Sequence, residues 1–312
     1  MPPWAGPTRW GICSAGKISH DFIIALKTLS AQEHTCPPTV AALLAPPQHS
    51  IPQSHTPSTA PSPTAVPTAT PILHSTAHPP HNAAPSTCPR TTPHSTAPLF
   101  CSHCPQAFWT RFFPVSGRIQ TLLAQGALGQ VKVVRAAVAF HMSNVPRLVE
   151  KDLGGGALLD LGCYCVQFAC MVFGGEKPQS ILASGFLHET GVDETTSIIL
   201  NYSRKRQAVL TCSFVVNLPN QATISGCITQ GEPTAMLFNG ERWECPLPPP
   251  SQPLNFERGT GLRYEAQHVR ECLLQGLKES PIMSLADSEL VASILDEARK
   301  QLGVKYTQDQ CN

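Results

Sequence analysis

The apolar pattern of this chain centres on Gly154 to Gly175, GGGALLDLGCYCVQFACMVFGG. Leu158, Leu159, Leu161, Val166, Phe168, Met171 and Val172 leave it hardly any polar face, which predicts a buried helix of about five turns. Asp160 and Tyr164 interrupt that pattern four residues apart, so a helix sets both polar ends on one face, one turn apart. A buried carboxylate and a buried phenol each need a partner or a cavity. The residues alone leave two readings open. Tyr164 bonds a neighbouring carbonyl while Asp160 suits the positive helix end, or the two side chains line a site.

On either side of this helix the pattern changes. Near the N-terminus, Trp10 to Cys13 predicts a short strand, Ser14-Ala15-Gly16 a tight turn, and Ile18, Phe22, Ile23, Leu26 and Leu29 a helix. Strand, glycine turn and helix are the first unit of a dinucleotide-binding fold, whose backbone N–H groups cradle a pyrophosphate. Gly11, Ser14, Gly16 and Ile18 are the candidate cofactor-binding residues, although two glycines are a reduced form of the usual three-glycine fingerprint. Downstream, Ser116 to Gln125 reads as a helix closed by Gly126 and Gly129, and Gln130 to Phe140 as a valine-rich strand. Further strands are predicted at Ser180 to Phe186, Thr195 to Tyr202, Ala208 to Val216, Ala222 to Thr229 and Ala235 to Phe238. Asn239 to Gly261 reads as a Pro-rich loop, followed by amphipathic helices over Leu262 to Gly276 and Ser284 to Gly303, with Ser284 and Asp287 both available as caps.

Between these parts the periodicity vanishes. Thr35 to Gln106 holds 17 of the chain's 31 prolines, one arginine (Arg90), and no Gly, Asp, Glu or Lys. Proline at that density breaks helices and removes ladder donors, so disorder or loose polyproline is expected there. The composition is that of out-of-frame or intron-derived sequence standing in place of a Rossmann segment. Three units follow: 1–34, the remnant of a cofactor domain; 35–106, the Pro/Ser/Thr/His-rich segment; and 107–312, a substrate and dimerisation domain. The fold class is α/β plus α+β, a truncated Rossmann-type part followed by an open, mostly antiparallel sheet.

Composition narrows the function classes. A net charge of +1 and a pI near 7.6 give no electrostatic case for nucleic acid. No uninterrupted apolar run of about eighteen residues argues for a membrane span, and the first residues do not read as a secretory signal. Thirteen scattered cysteines read as reduced thiols of a cytoplasmic protein. The CSHC run at Cys101 to Cys104 lacks the second pair that a structural zinc site needs, so no metal is expected.

Five motifs then carry a resemblance: WTRFFP from Trp109, GGGALLDLGCYCVQF from Gly154, MVFGGEKP from Met171, HETGVDET from His188, and YEAQHVRECLLQGLKESP from Tyr264. With RWGICSAGKIS near the start, they resemble the dimeric dihydrodiol dehydrogenases, within the glucose–fructose oxidoreductase / inositol dehydrogenase superfamily. The resemblance implies an NADP-binding Rossmann domain and a C-terminal domain whose open sheet pairs two subunits into a homodimer. It implies small-molecule substrates: trans-dihydrodiols of aromatic hydrocarbons oxidised to catechols, and D-xylose oxidised to its lactone. It carries the catalytic acid/base onto Tyr164, its companion aspartate onto Asp160 and a substrate-facing tryptophan onto Trp109. The family's catalytic lysine would fall within Thr35 to Gln106, where there is none, and Glu176-Lys177-Pro178 lies at a different, structural turn.

Two functions of different classes therefore compete. One is an NADP-dependent dehydrogenase. The other is a non-catalytic homodimeric scaffold, in which one strand, turn and helix from Arg9 to about Ser30 hold NADP no better than millimolar.

Overall fold

The computed structural model describes residues 6–12, 16–35, 108–224, 228–232 and 234–310. The Pro-rich stretch from Cys36 to Gln106, and with it the reading of disorder there, lies outside the described residues, as does Ser14 of the candidate cofactor turn.

The first described elements are β1 (Thr8–Arg9), α1 (Lys17–Leu26) and β2 (His34–Thr35). β1 and β2 pair in parallel, Thr8 opposite His34, with Trp10 N–H donating to Thr35 C=O at 2.9 Å. The apolar pattern predicts only strand, turn and helix; the short second strand, pairing in parallel with the first, completes a βαβ unit. The strand lies earlier than the expected Trp10 to Cys13. The Trp10 side chain turns inward instead, edge-on to Phe22 and stacked on His34.

The second part is built on one eight-stranded sheet, ordered β10-β9-β8-β7-β3-β6-β5-β4. Its strands are β3 (Val133–Ala139), β4 (Ser180–Leu187), β5 (Asp193–Tyr202), β6 (Arg206–Ser213), β7 (Gln221–Ile224), β8 (Ile228–Glu232), β9 (Ala235–Phe238) and β10 (Glu241–Glu244). Only β3 and β6 run parallel; the other pairs are antiparallel, and the sheet is open. Alternation decides the faces. Val134 and Ala136 of β3 point into the core, with Val138 packed against it, while Val133 and Arg135 point away. Two details depart from the pattern. The strand expected over Ala222 to Thr229 is the hairpin β7–β8, whose intervening residues carry the turn signal Ser-Gly. β10 lies inside the expected Pro-rich loop, because Asn239 and Gly240 both adopt positive φ (51° and 82°) and close a hairpin.

The remaining helices are α2 (Pro114–Ala124), the short α3 (Pro146–Val149), α4 (Cys163–Val172), α5 (Leu262–Leu274) and α6 (Leu285–Leu302); α4 packs on β3 and β6, α6 on β4, and α5 on α1. The predicted central helix is real, but its first turn, Leu158–Gly162, is a π-turn that leads directly into α4. Leu158, Val166, Ala169 and Cys170 are completely buried. Burying one such leucine stabilises the fold by roughly 1.5–3 kcal/mol. By length and composition alone Lys151–Val172 would pass for a membrane span, with mean hydropathy 1.4, contrary to the expectation from run length. Since 83% of that window is buried inside the protein, it is the core helix. α6 starts in a capping box: Ser284 Oγ accepts from Asp287 N–H and the Asp287 carboxylate accepts from Ser284 N–H.

The two parts touch through α5 and the loop before it. Arg270 of α5 donates to Gly6 C=O and Thr8 Oγ1, both at 3.1 Å, and Gln267 bonds His34 at 3.1 Å. The fully buried Asp21 of α1 accepts from Asn255 N–H and Phe256 N–H.

Candidate active site

Three glycines open the central helix for a steric reason. Gly156 has φ of 129°, and a side chain there would collide with the Asp193 carboxylate. That carboxylate, on β5, accepts from Leu158 N–H at 2.7 Å and from Thr196 Oγ1 at 3.0 Å. The helix thus has no side-chain cap of its own, and a residue of the sheet satisfies one of its first N–H groups, that of Leu158. Tyr306 OH donates to Gly155 C=O at 2.5 Å and closes the same turn from the C-terminal side. Burial raises the Asp193 pKa, and its hydrogen bonds offset only part of that.

Tyr164 then emerges on the first α-helical turn. Its hydroxyl accepts from Trp109 Nε1–H at 3.3 Å, and Phe108 meets its ring edge-on at 6.0 Å. Trp109 is held edge-on to Phe113, and Phe113 to Tyr264 of α5. The buried Arg111 fixes this aromatic turn to its neighbours. It donates to Gln167 C=O on α4 and to Ile282 C=O, and lies 3.8 Å from Asp287. Of the three expected site residues, Trp109 and Tyr164 are in direct contact, and Asp160 lies near enough for its charge to act on the phenol.

Asp160, in the first turn of the helix, has an ion-pair partner. Both of its oxygens accept from the Arg147 guanidinium of α3, the second at 3.3 Å. Burial pushes the Tyr164 hydroxyl well above the ordinary value for tyrosine; Cys163, Asp160 and Glu265 add to this, and only the Trp109 N–H pulls the other way. Tyr164 is thus a neutral phenol, equipped to give a proton to a carbonyl oxygen. In the oxidising direction it must first lose that proton. Glu265, on the first turn of α5, is a second unusual acid: burial alone raises its pKa to about 7. Burial also raises Cys165 and Cys170 to about 12, so these free thiols are unreactive core residues.

The candidate cofactor residues lie elsewhere, on the βαβ unit beyond α5. Gly16 is the N-cap of α1 and offers no side chain to it, Gly11 faces open space, and Ile18 is 41% exposed. An uncapped helix start after a parallel strand, with Lys17 in its first turn, fits an anionic pyrophosphate. This fit covers the phosphate end of a dinucleotide.

Arg147, Asp193 and Glu265 escaped the sequence reading. Asp193 and Glu265 stand inside quoted motifs, HETGVDET and YEAQHV, but only tertiary packing brings them to the central helix. For Arg147 no sequence signal exists.

Residues 117–231 match the GFO/IDH/MocA C-terminal domain family. The sequence is 47% identical to trans-1,2-dihydrobenzene-1,2-diol dehydrogenase of Xenopus tropicalis, over 96% of this chain and 99% of that one. The human enzyme of the same name is 40% identical over 97% of this chain and 99% of its own. Among solved structures, levoglucosan dehydrogenase in complex with NADH and levoglucosan superposes with a TM-score of 0.52. That match has 16% identity and covers 63% of each chain, a likeness of fold alone.

Proposed function

Because the chain belongs to the trans-1,2-dihydrobenzene-1,2-diol dehydrogenase family, we propose that it oxidises trans-dihydrodiols of aromatic hydrocarbons to catechols with NADP. D-xylose, oxidised to its lactone, is the second substrate class of this reading. The observation that carries it is the Trp109–Tyr164 hydrogen bond, beside an Asp160 held by Arg147. Tyr164, once its own proton has been lost to solvent, takes the proton of the reacting hydroxyl as phenolate while the carbon loses hydride, and as neutral phenol it gives that proton to the carbonyl in the reverse direction. Trp109 orients the phenol oxygen and covers it with an apolar wall that excludes water. Gly11, Gly16 and the first N–H groups of α1 would hold the pyrophosphate of NADP, which when bound supplies the hydride acceptor.

One observation favours a second reading, a non-catalytic homodimeric scaffold. Residues 35–106 contain no lysine to lower the Tyr164 pKa and no glycine or acid to shape a second nucleotide-binding turn. Titrating the purified chain with NADP separates the two. A micromolar dissociation constant, with NADPH fluorescence appearing on addition of a trans-dihydrodiol, supports the dehydrogenase. Millimolar binding without turnover supports the scaffold.

A further inference from the structure

Arg147 and Asp160 form an ion pair that stays half in water: the arginine side chain is 42% exposed and the aspartate 25%. An ion pair this exposed contributes little to stability, so holding α3 against the central helix does not account for its geometry. Two of the five guanidinium N–H donors go to the Asp160 oxygens, which leaves three to donate elsewhere. Each carboxylate oxygen keeps a further lone pair. The pair therefore presents donors and acceptors side by side with no net charge. A carboxylate or phosphate ligand would be repelled by Asp160, and an ammonium by Arg147. A hydroxyl, which donates and accepts at once, matches both.

The position of the pair adds a direction. Asp160 lies four residues before Tyr164, and Arg147 is close enough to Tyr164 for the two charges to interact. A substrate whose reacting hydroxyl meets Tyr164 would turn a neighbouring hydroxyl toward Asp160 and Arg147. We propose that Arg147, fixed by both oxygens of Asp160, is a specificity-determining residue that reads the non-reacting hydroxyl of a vicinal diol. This rests on the reading of Tyr164 as the acid/base given above, and it extends that reading to selection of diols over simple alcohols.

The test compares binding of trans-cyclohexane-1,2-diol and cyclohexanol to the full chain by saturation-transfer NMR, for wild type, Arg147→Met and Arg147→Lys. Wild type is expected to bind the diol about tenfold tighter, as one polar contact to a charged group provides. Arg147→Met should bind both compounds equally, and Arg147→Lys should recover part of the preference. Equal binding by wild type, absence of diol binding, or a preference intact in a folded Arg147→Met would overturn the proposal. Should Arg147→Met fail to fold, the wild-type comparison and Arg147→Lys still decide. A separate turnover assay distinguishes the two readings. Diol preference without hydride transfer sinks the dehydrogenase and leaves Arg147 its role. Equal kcat/KM for diol and alcohol does the reverse.

Discussion

Asp21 and Asn255 stand 234 residues apart in the sequence, yet the Asp21 carboxylate accepts both the backbone and the side-chain N–H of Asn255, at 2.9 Å each. Phe256 N–H adds a third bond at 2.7 Å. Burial works to raise the Asp21 pKa, and these bonds together with His20 outweigh it, so the folded value lies below the ordinary 3.8. The stabilisation is complete above the unfolded value and is lost as pH falls through the folded one. Asp21→Ala should destabilise the chain by roughly 1–3 kcal/mol in urea unfolding at neutral pH. The gap between variant and wild type should close in acid; a gap independent of pH would tell against the charged clasp.

Tyr164→Phe should keep the fold, because the ring still packs against Phe108 and only the hydroxyl is lost. Circular dichroism checks the fold, and diol turnover should disappear. Since burial holds the wild-type phenol neutral, the reactive phenolate becomes more abundant by about tenfold per pH unit below its pKa. Diol oxidation should therefore climb through the alkaline range while carbonyl reduction does not. A flat oxidation profile would assign the proton to another group.

Glu265 gives the opposite pH dependence. Its folded pKa of about 7 lies above the ordinary 4.5, so between those values the folded state keeps a proton that the unfolded state has released. Stability then falls as pH rises through this window. Glu265→Gln should match wild type near pH 4.5, by about that margin, and exceed it above neutrality. Urea midpoints across the range test this, and an advantage for the variant confined to acid would refute it.

The open face of the sheet shows Leu182 at 56% and Phe186 at 72% exposed on the edge strand β4. Thr195, Ser197, Thr211 and Ser213 lie alongside, hydrogen-bonded to one another, so this face is mixed and not uniformly apolar. If two copies pair there, Leu182→Glu combined with Phe186→Glu should give a monomer by sedimentation velocity with unchanged secondary structure. A dimer that survives both charges must be joined elsewhere.

Much of this architecture was legible in the chain because periodicity is local. The valine-rich run of β3 and the glycines after α2 each act within a few residues. The Asp160–Tyr164 spacing was visible for the same reason. The partners of those side chains were not. Arg147 reaches Asp160 only because α3 folds back before the glycine triplet, and Asp193 meets Leu158 only through sheet pairing. The Asn-Gly turn before β10 was readable as a hairpin signal, but ERWE after it is exposed throughout and shows no alternation of burial to mark a strand.

The π-turn at Leu158–Gly162 makes the site sensitive to chain length as much as to chemistry. A π-turn is an α-helix carrying one surplus residue, here wedged between the glycine triplet and Tyr164. Deleting Leu161 would let the turn close as a regular α-helix with the flanking turns still in line, and would shorten the spacing from Asp160 to Tyr164 from four residues to three. The distance and angle between the Asp160–Arg147 pair and the phenol would then change although every side chain of the site was still present. The geometry of proton transfer is in this sense stored as an insertion, and a frame-preserving indel could erase it without touching a named functional residue.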